Sequence, residues 1–163
     1  MRIGILSDIH DNTANLRSAL KRLAEEGCGT LLCAGDIAGI PTLRLMRELW
    51  QGELHLVAGN NDYPRAEFRA AAADIPHTHY HGDTAELELG GRRIFLAHEP
   101  ERTLNATRFG QFDVILFGHT HRAGQMISGG AIIANPGELQ ARYGTASVAV
   151  YDTAAHSLRH IVL

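Results

Sequence analysis

The chain has 163 residues, 45% hydrophobic and 20% charged, which is enough apolar material for one domain with its own core and too much for a disordered chain. Fifteen Lys and Arg against eighteen Asp and Glu leave a net charge of −3 with His neutral, excluding a strongly basic nucleic-acid footprint and an acidic tail. Cys28 and Cys33 make no disulfide framework, no apolar run nears the ~18 residues of a spanning helix, and the start turns polar too soon for a secretory signal, so a cytoplasmic domain without membrane or stable nucleic-acid partners is expected.

Residues 3–6 read as a buried strand. Asn12 or Thr13 can cap a helix whose Leu16, Ala19, Leu20 and Leu23 recur at i, i+3, i+4 and i+7, with Gly27 placed to stop it. Residues 30–34 are a second strand, with Cys33 a small core residue. Pro41 suits the first turn of a helix carrying Leu43, Met46 and Trp50 and ending near Gly52; residues 54–58 form a third strand. This β-α-β-α-β order implies a parallel sheet with helical crossovers, and Pro64 can open another helix as its first residue. In the second half, Leu87 and Leu89 alternate with Glu86 and Glu88, and Gly90-Gly91 links them to residues 93–97 as a hairpin. A helix is expected over residues 101–109 and a buried strand over 114–117. A second hairpin turns at Gly129-Gly130, and strands over 145–151 and 158–163 close the chain. There is no repeat or linker, so residues 1–163 are one domain.

The polar clusters all fall where a predicted strand ends: Asp8-Ile9-His10, Gly35-Asp36, Gly59-Asn60-Asn61-Asp62, His98, and Gly118-His119-Thr120-His121. Carboxyl ends of parallel strands line the ligand crevice of open α/β sheets. Asp8 and His10 are two apart, as are His119 and His121, so extended backbone points each pair one way. Together with Asp36, Asn60 and His98 they make two carboxylates, four imidazoles and one amide carbonyl, a set suited to Mn²⁺, Fe²⁺, Zn²⁺, Co²⁺ or Ni²⁺. It is too large for one tetrahedral ion and about right for two, ~3.5–4 Å apart, if one carboxylate bridges. Each piece alone has an ordinary explanation: Asp8 or Asp11 capping the first helix, Gly35-Asp36 and Asn60-Asn61-Asp62 as turns, a single His hydrogen-bonded in the core.

As a set, these motifs resemble those of the calcineurin-like metallophosphoesterases, from the first strand through Asn135-Pro136-Gly137 and the last strands. The short chain without a cap domain is similar to the small bacterial and archaeal phosphodiesterases of that superfamily, to which the compact retromer subunit Vps29 is related. The resemblance implies a four-layer α/β/β/α sandwich of two mixed sheets flanked by helices. It implies that Asp8, His10 and His121 hold one divalent ion, that Asn60, His98 and His119 hold a second, and that Asp36 bridges them. Mn²⁺ is the foremost candidate, with Fe, Zn, Co or Ni as alternatives, and a metal-bridging hydroxide attacks phosphorus in line. The expected function is a phosphodiesterase acting on a small phosphate ester, with self-association left open. The alternatives are a phosphomonoesterase, a dinucleotide polyphosphate hydrolase, or a non-catalytic Vps29-like scaffold, the last disfavoured because every ligand position here holds a ligand-type residue.

Larger relatives carry Gly-Asn-His-Asp or Gly-Asn-His-Glu, whose His protonates the leaving oxygen. Asn61 takes that catalytic position here and cannot donate such a proton at neutral pH. Glu99 follows His98 where relatives have Gly, and Glu138 follows Asn135-Pro136-Gly137 where they have Ser. His77, His79 and His81 alternate along one face, as an edge strand, a loop rim or an auxiliary metal strip. His55, His156 and His160 read as structural or surface residues. Arg122 reads as a phosphate contact or an outward ion pair, Asn135-Pro136-Gly137 as a tight turn, and Asp62 as a cap for the next helix or a hydrogen-bond partner within its own loop.

Overall fold

The computed structural model describes residues 1–108 and 111–163. Its first sheet is built on β1 (Arg2–Leu6), β2 (Thr30–Cys33), β3 (Glu53–Leu56) and β4 (Thr78–Tyr80), all parallel. Three helices connect them: α1 (Thr13–Glu25), α2 (Ile40–Leu49) and α3 (Arg65–Ala73). The second sheet holds β5 (Thr84–Leu89), β6 (Arg92–Ala97), β7 (Val114–Leu116), β8 (Gly124–Ser128) and β9 (Ala131–Asn135), in the order β5-β6-β7-β9-β8. Its two outer pairings are antiparallel and its two inner ones parallel. The chain then returns to the first sheet, where β10 (Ser147–Asp152) pairs antiparallel with β1 and β11 (Ser157–Val162) with β10.

Strand alternation sorts the side chains into layers. Leu31 and Cys33 of β2 face Leu16, Leu20 and Leu23 of α1, Leu43 and Met46 of α2, and Phe68 of α3. Leu32, with Ile3 and Ile5 of β1, faces Ile94 and Leu96 of β6 and Val114 and Leu116 of β7. The short helix α4 (Thr103–Arg108) lays Ala106 against Phe95, Ala97 and Ile115 on the far side. The result is the expected α/β/β/α sandwich. Each Leu or Ile buried this way is worth ~1.5–3 kcal/mol.

Local details correct the sequence reading at a few places. Asn12 caps α1, its side-chain oxygen accepting from the Asn15 N–H at 3.1 Å. Neither Asp8 nor Asp11 does so; Asp11 reaches across to the start of α2, where it accepts from the Gly39 N–H and the Thr42 hydroxyl. Pro64 precedes α3 in extended backbone instead of being its first residue. The helix expected over 101–109 is a 3₁₀ turn (Pro100–Arg102) followed by α4, and Phe109 lies outside the described residues. His79 sits in the edge strand β4, with His77 and His81 flanking it.

Candidate metal centre

Asp8, Asp36, Asn60, His98 and His119 each follow the carboxyl end of a parallel strand, β1, β2, β3, β6 and β7 in turn. The backbone that presents them is not the extended one expected from the two-residue spacing. Asp8, His10, Asp36, His119 and His121 have φ of 54°, 45°, 56°, 64° and 59°, the left-handed region that costs an L-residue about 1–2 kcal/mol. Cross-loop hydrogen bonds hold this strain. The Asp8 N–H donates to Gly35 O at 3.1 Å, the His10 N–H to Asp36 O at 3.0 Å and the His119 N–H to Asp8 Oδ2 at 3.1 Å. The pairs converge because tight left-handed turns bring them together.

Two groups result, with Asp36 between them. Asp8 Oδ1 lies 3.3 Å from His121 Nε2 and 3.9 Å from His10 Nε2. Asn60 Oδ1 lies 3.0 Å from His98 Nε2 and 2.9 Å from His119 Nδ1. Asp36 Oδ2 is 3.4 Å from both His10 Nε2 and His98 Nε2. Gly59 and Gly118 are required by this crowding: a Cβ on Gly59 would meet Asp36 Oδ1 at 2.0 Å, and one on Gly118 would meet Ser7 Oγ at 2.0 Å.

Cations fit this donor set. Asp8 Oδ1 and His10 Nε2 are buried without a hydrogen-bond partner, a cost of about 1–3 kcal/mol per atom that a cation held by these residues would remove. His98 Nδ1 lies 2.7 Å from Ala34 O, so it carries the proton, and Nε2 faces two acceptors, Asn60 Oδ1 and Asp36 Oδ2. That spot calls for positive charge. Burial opposes a charged ring at His98, yet the hydrogen-bonded Asp36 outweighs it and holds the imidazole above its ordinary value. Burial likewise opposes ionisation of Asp36, and His98 and Asn61 overcome it, bringing the carboxyl down to about 2. Burial raises Asp8.

Two carboxylates support the ligands: Glu138, whose role the sequence reading missed, and Asp62, which bonds within its own loop as one of its two readings had it and also beyond it. Glu138, noted only as a departure from Ser, is 1% exposed and accepts from His121 Nδ1 at 2.8 Å and from the backbone N–H groups of Arg142 and Tyr143. It fixes the His121 tautomer with Nε2 turned toward Asp8. Asp62 does not cap α3. Its Oδ2 accepts from the Asp36 N–H at 3.0 Å and the Gly59 N–H at 2.8 Å, and its Oδ1 from the Ala38 N–H at 2.8 Å. A carboxylate two residues beyond Asn60 was the only available signal.

Asn61 faces inward. Its N–H donates to Asp36 Oδ1 at 2.8 Å and its side-chain amide to Asp36 Oδ2 at 2.7 Å. It lines a cavity of about 670 Å³ together with His10, His119, Arg122, Arg142 and Tyr143. Arg122 has no carboxylate partner among the described residues, so the outward ion pair is not found. His156 and His160 are structural, bonded to the Tyr151 hydroxyl and to Asn135 O. Asn135 closes its turn by accepting from the Gly137 N–H. His55, His77, His79 and His81 form a separate group at the β3–β4 edge. Burial, with His79 and His81 nearby, pushes His55 down to about 4.

A model of the calcineurin-like phosphoesterase superfamily domain matches residues 1–156. The chain belongs to that superfamily. A phosphodiesterase of Methanocaldococcus jannaschii, MJ0936, is 28% identical over 166 residues, covering 100% of this chain and 99% of that protein. The solved structure of an archaeal phosphodiesterase superposes over 100% of both chains with a TM-score of 0.92 at 28% identity. The Escherichia coli phosphoesterase YfcE gives 0.71 at 21% identity over 99% of both. A Zn²⁺ complex of Entamoeba histolytica Vps29 gives 0.70 at 21% identity, over 98% of this chain and 90% of that one. The last two likenesses speak to the fold alone. By its superfamily the protein is a phosphoester hydrolase.

Proposed function

We infer that the protein is a phosphodiesterase working with two divalent ions, Mn²⁺ foremost, on a small phosphate diester in the cytoplasm. In this reading Asp8, His10 and His121 hold one ion, Asn60, His98 and His119 the other, and Asp36 both. The observation that carries it is the placement of Asp36 Oδ2 at 3.4 Å from an imidazole of each group. When bound, such ions acidify a water and neutralise phosphoryl oxygens. The chain's own residues do the rest. Asp62 sets the Asp36 backbone, Asn61 orients the Asp36 carboxylate, and Glu138 orients His121. Arg122 and Arg142 at the cavity offer positive charge to the substrate's phosphate. Asn61 supplies no proton, so the leaving oxygen departs unaided and good leaving groups are favoured.

The second reading is a non-catalytic protein-binding scaffold. The unpartnered Asp8 and His10 atoms call for a bound ion, and the cavity beside them, lined by Asn61, Arg122 and Arg142, favours the enzyme. The test is to strip the protein with a chelator, restore Mn²⁺, and compare an aryl phosphodiester with an aryl phosphomonoester. No turnover when stripped, recovery on reloading and faster cleavage of the diester are expected. Full turnover by the stripped protein would overturn the metal role, and preference for the monoester would overturn the diesterase. Metal uptake with neither ester cleaved would leave the scaffold.

A further inference from the structure

The register partners Ile5, Leu32, His55 and His79 form one row across β1 to β4. The row is buried and aliphatic on β1 and β2, then turns to imidazole on β3 and β4. Alternation adds Glu53 to the same face of β3, and contacts to Glu53 and His55 bring in His77 and His81, which flank β4. One carboxylate and four imidazoles thus share a single sheet edge. His55 Nδ1 and His81 Nε2 are 3.1 Å apart. The His79 ring stacks on His55 at 4.6 Å, and Glu53 reaches His77 Nδ1 and His79 Nε2 at 2.8 Å each.

A solvated edge strand needs polar residues, but charges or proline serve that purpose. Stacked imidazoles serve it poorly, because protonating one repels the next. Burial already holds His55 and His81 toward the neutral form, which is the form that ligates a metal ion. Two ligand nitrogens at ~2.0–2.1 Å from a tetrahedral Zn²⁺ lie ~3.3 Å apart, close to the spacing of His55 and His81.

We propose that the β3–β4 edge is a second, non-catalytic metal site in which His55 and His81 grip one divalent ion of the Zn²⁺, Ni²⁺ or Cu²⁺ kind, with His79 and Glu53 beside it. Its imidazole-dominated donors select those metals, whereas the centre at Asp36 adds two carboxylates and an amide oxygen and admits Mn²⁺. The bound ion ties His81, just past the three-residue edge strand, to His55 on its neighbour, so it stabilises the end of the sheet. The site stands independently of the reaction at the other centre.

The test is equilibrium dialysis of Mn²⁺-loaded protein against Ni²⁺, with thermal unfolding in parallel, for wild type, His81→Ala and His79→Gln. His81 and His79 are exposed, so these variants keep the fold where His55→Ala, at a half-buried position, risks it. His81→Ala is expected to lose one Ni²⁺ equivalent or weaken it more than ~10-fold, to show a smaller Ni²⁺-induced rise in Tm than wild type, and to cleave diester at the wild-type rate in Mn²⁺. His79→Gln should weaken binding less. Wild type and His81→Ala taking up the same equivalents with the same Kd would overturn the site, as would Ni²⁺ raising the Tm of His81→Ala by as much as that of wild type.

Discussion

Replacing Asp62 by Ala isolates the scaffold of the metal centre from its ligands. The carboxylate is 1% exposed and accepts three backbone N–H groups, from Asp36, Ala38 and Gly59. A hydrogen bond to a charged acceptor is worth ~1.5–3 kcal/mol net, and a buried N–H left alone costs ~1–3 kcal/mol. Burial raises Asp62 above the ordinary carboxylate range, so part of the gain is spent on desolvating the charge. Water entering the vacated space recovers a further part, leaving an expected loss of ~3–5 kcal/mol. For a chain of this length that is a fall in Tm of ~10–15 °C. Asp62→Asn should fall about half as far, because its oxygen can still serve Asp36 and Gly59 while its amide opposes the Ala38 N–H. Calorimetry of the metal-free proteins measures this. Asp36, left-handed at φ 56°, also loses the acceptor for its N–H, so Mn²⁺ affinity should fall ~10–100-fold. A Tm within ~2 °C of wild type for Asp62→Ala would refute the reasoning.

Asp36→Asn should lower diesterase kcat by ~10³ or more, beyond the loss of a ligand to either single ion; less than tenfold with both ions retained, by metal analysis, would remove the bridging role. Asn61→His should restore part of the ~10²–10⁴ of general acid catalysis for alkyl leaving groups and little for activated aryl ones; equal slopes of kcat/KM against leaving-group pKa in both proteins would show that position 61 does not reach the leaving oxygen. Asp113 accepts from the Arg93 N–H at 2.9 Å and the Arg92 guanidinium at 3.0 Å, which hold it below its ordinary value of 3.8. Its stabilisation is therefore complete above that value and lost as pH falls through the depressed one. Asp113→Asn should thus melt below wild type at pH 7, with the gap narrowing below about pH 4; an unchanged gap in acid would assign the loss to packing.

Much of the architecture was legible because burial imposes its period on neighbouring residues. Leu16, Ala19, Leu20 and Leu23 mark the inner stripe of α1, and Ile3 and Ile5 the inter-sheet face of β1. The seven candidate ligands were legible too, since motifs at strand ends keep their spacing whatever the rest of the chain does. Their backbone was not. Nothing in Asp8-Ile9-His10 announces left-handed φ, because those angles are held by Gly35 and Asp36, far off in sequence.

The sequence by itself determined most strands and helices, the strand-end positions of the donors and the chemistry they suit, because these follow from residue type and short-range spacing. Tertiary structure alone decided which groups each buried carboxylate supports. Asp11 serves Gly39 across 28 positions, Asp62 serves Asp36 across 26, and Glu138 serves His121 across 17. A buried carboxylate must find donors, but which N–H groups lie within 3 Å depends on how the loops close around it. The same closure set His55 against His79 and His81, joining one distant histidine to the three that alternate along the edge of the sheet.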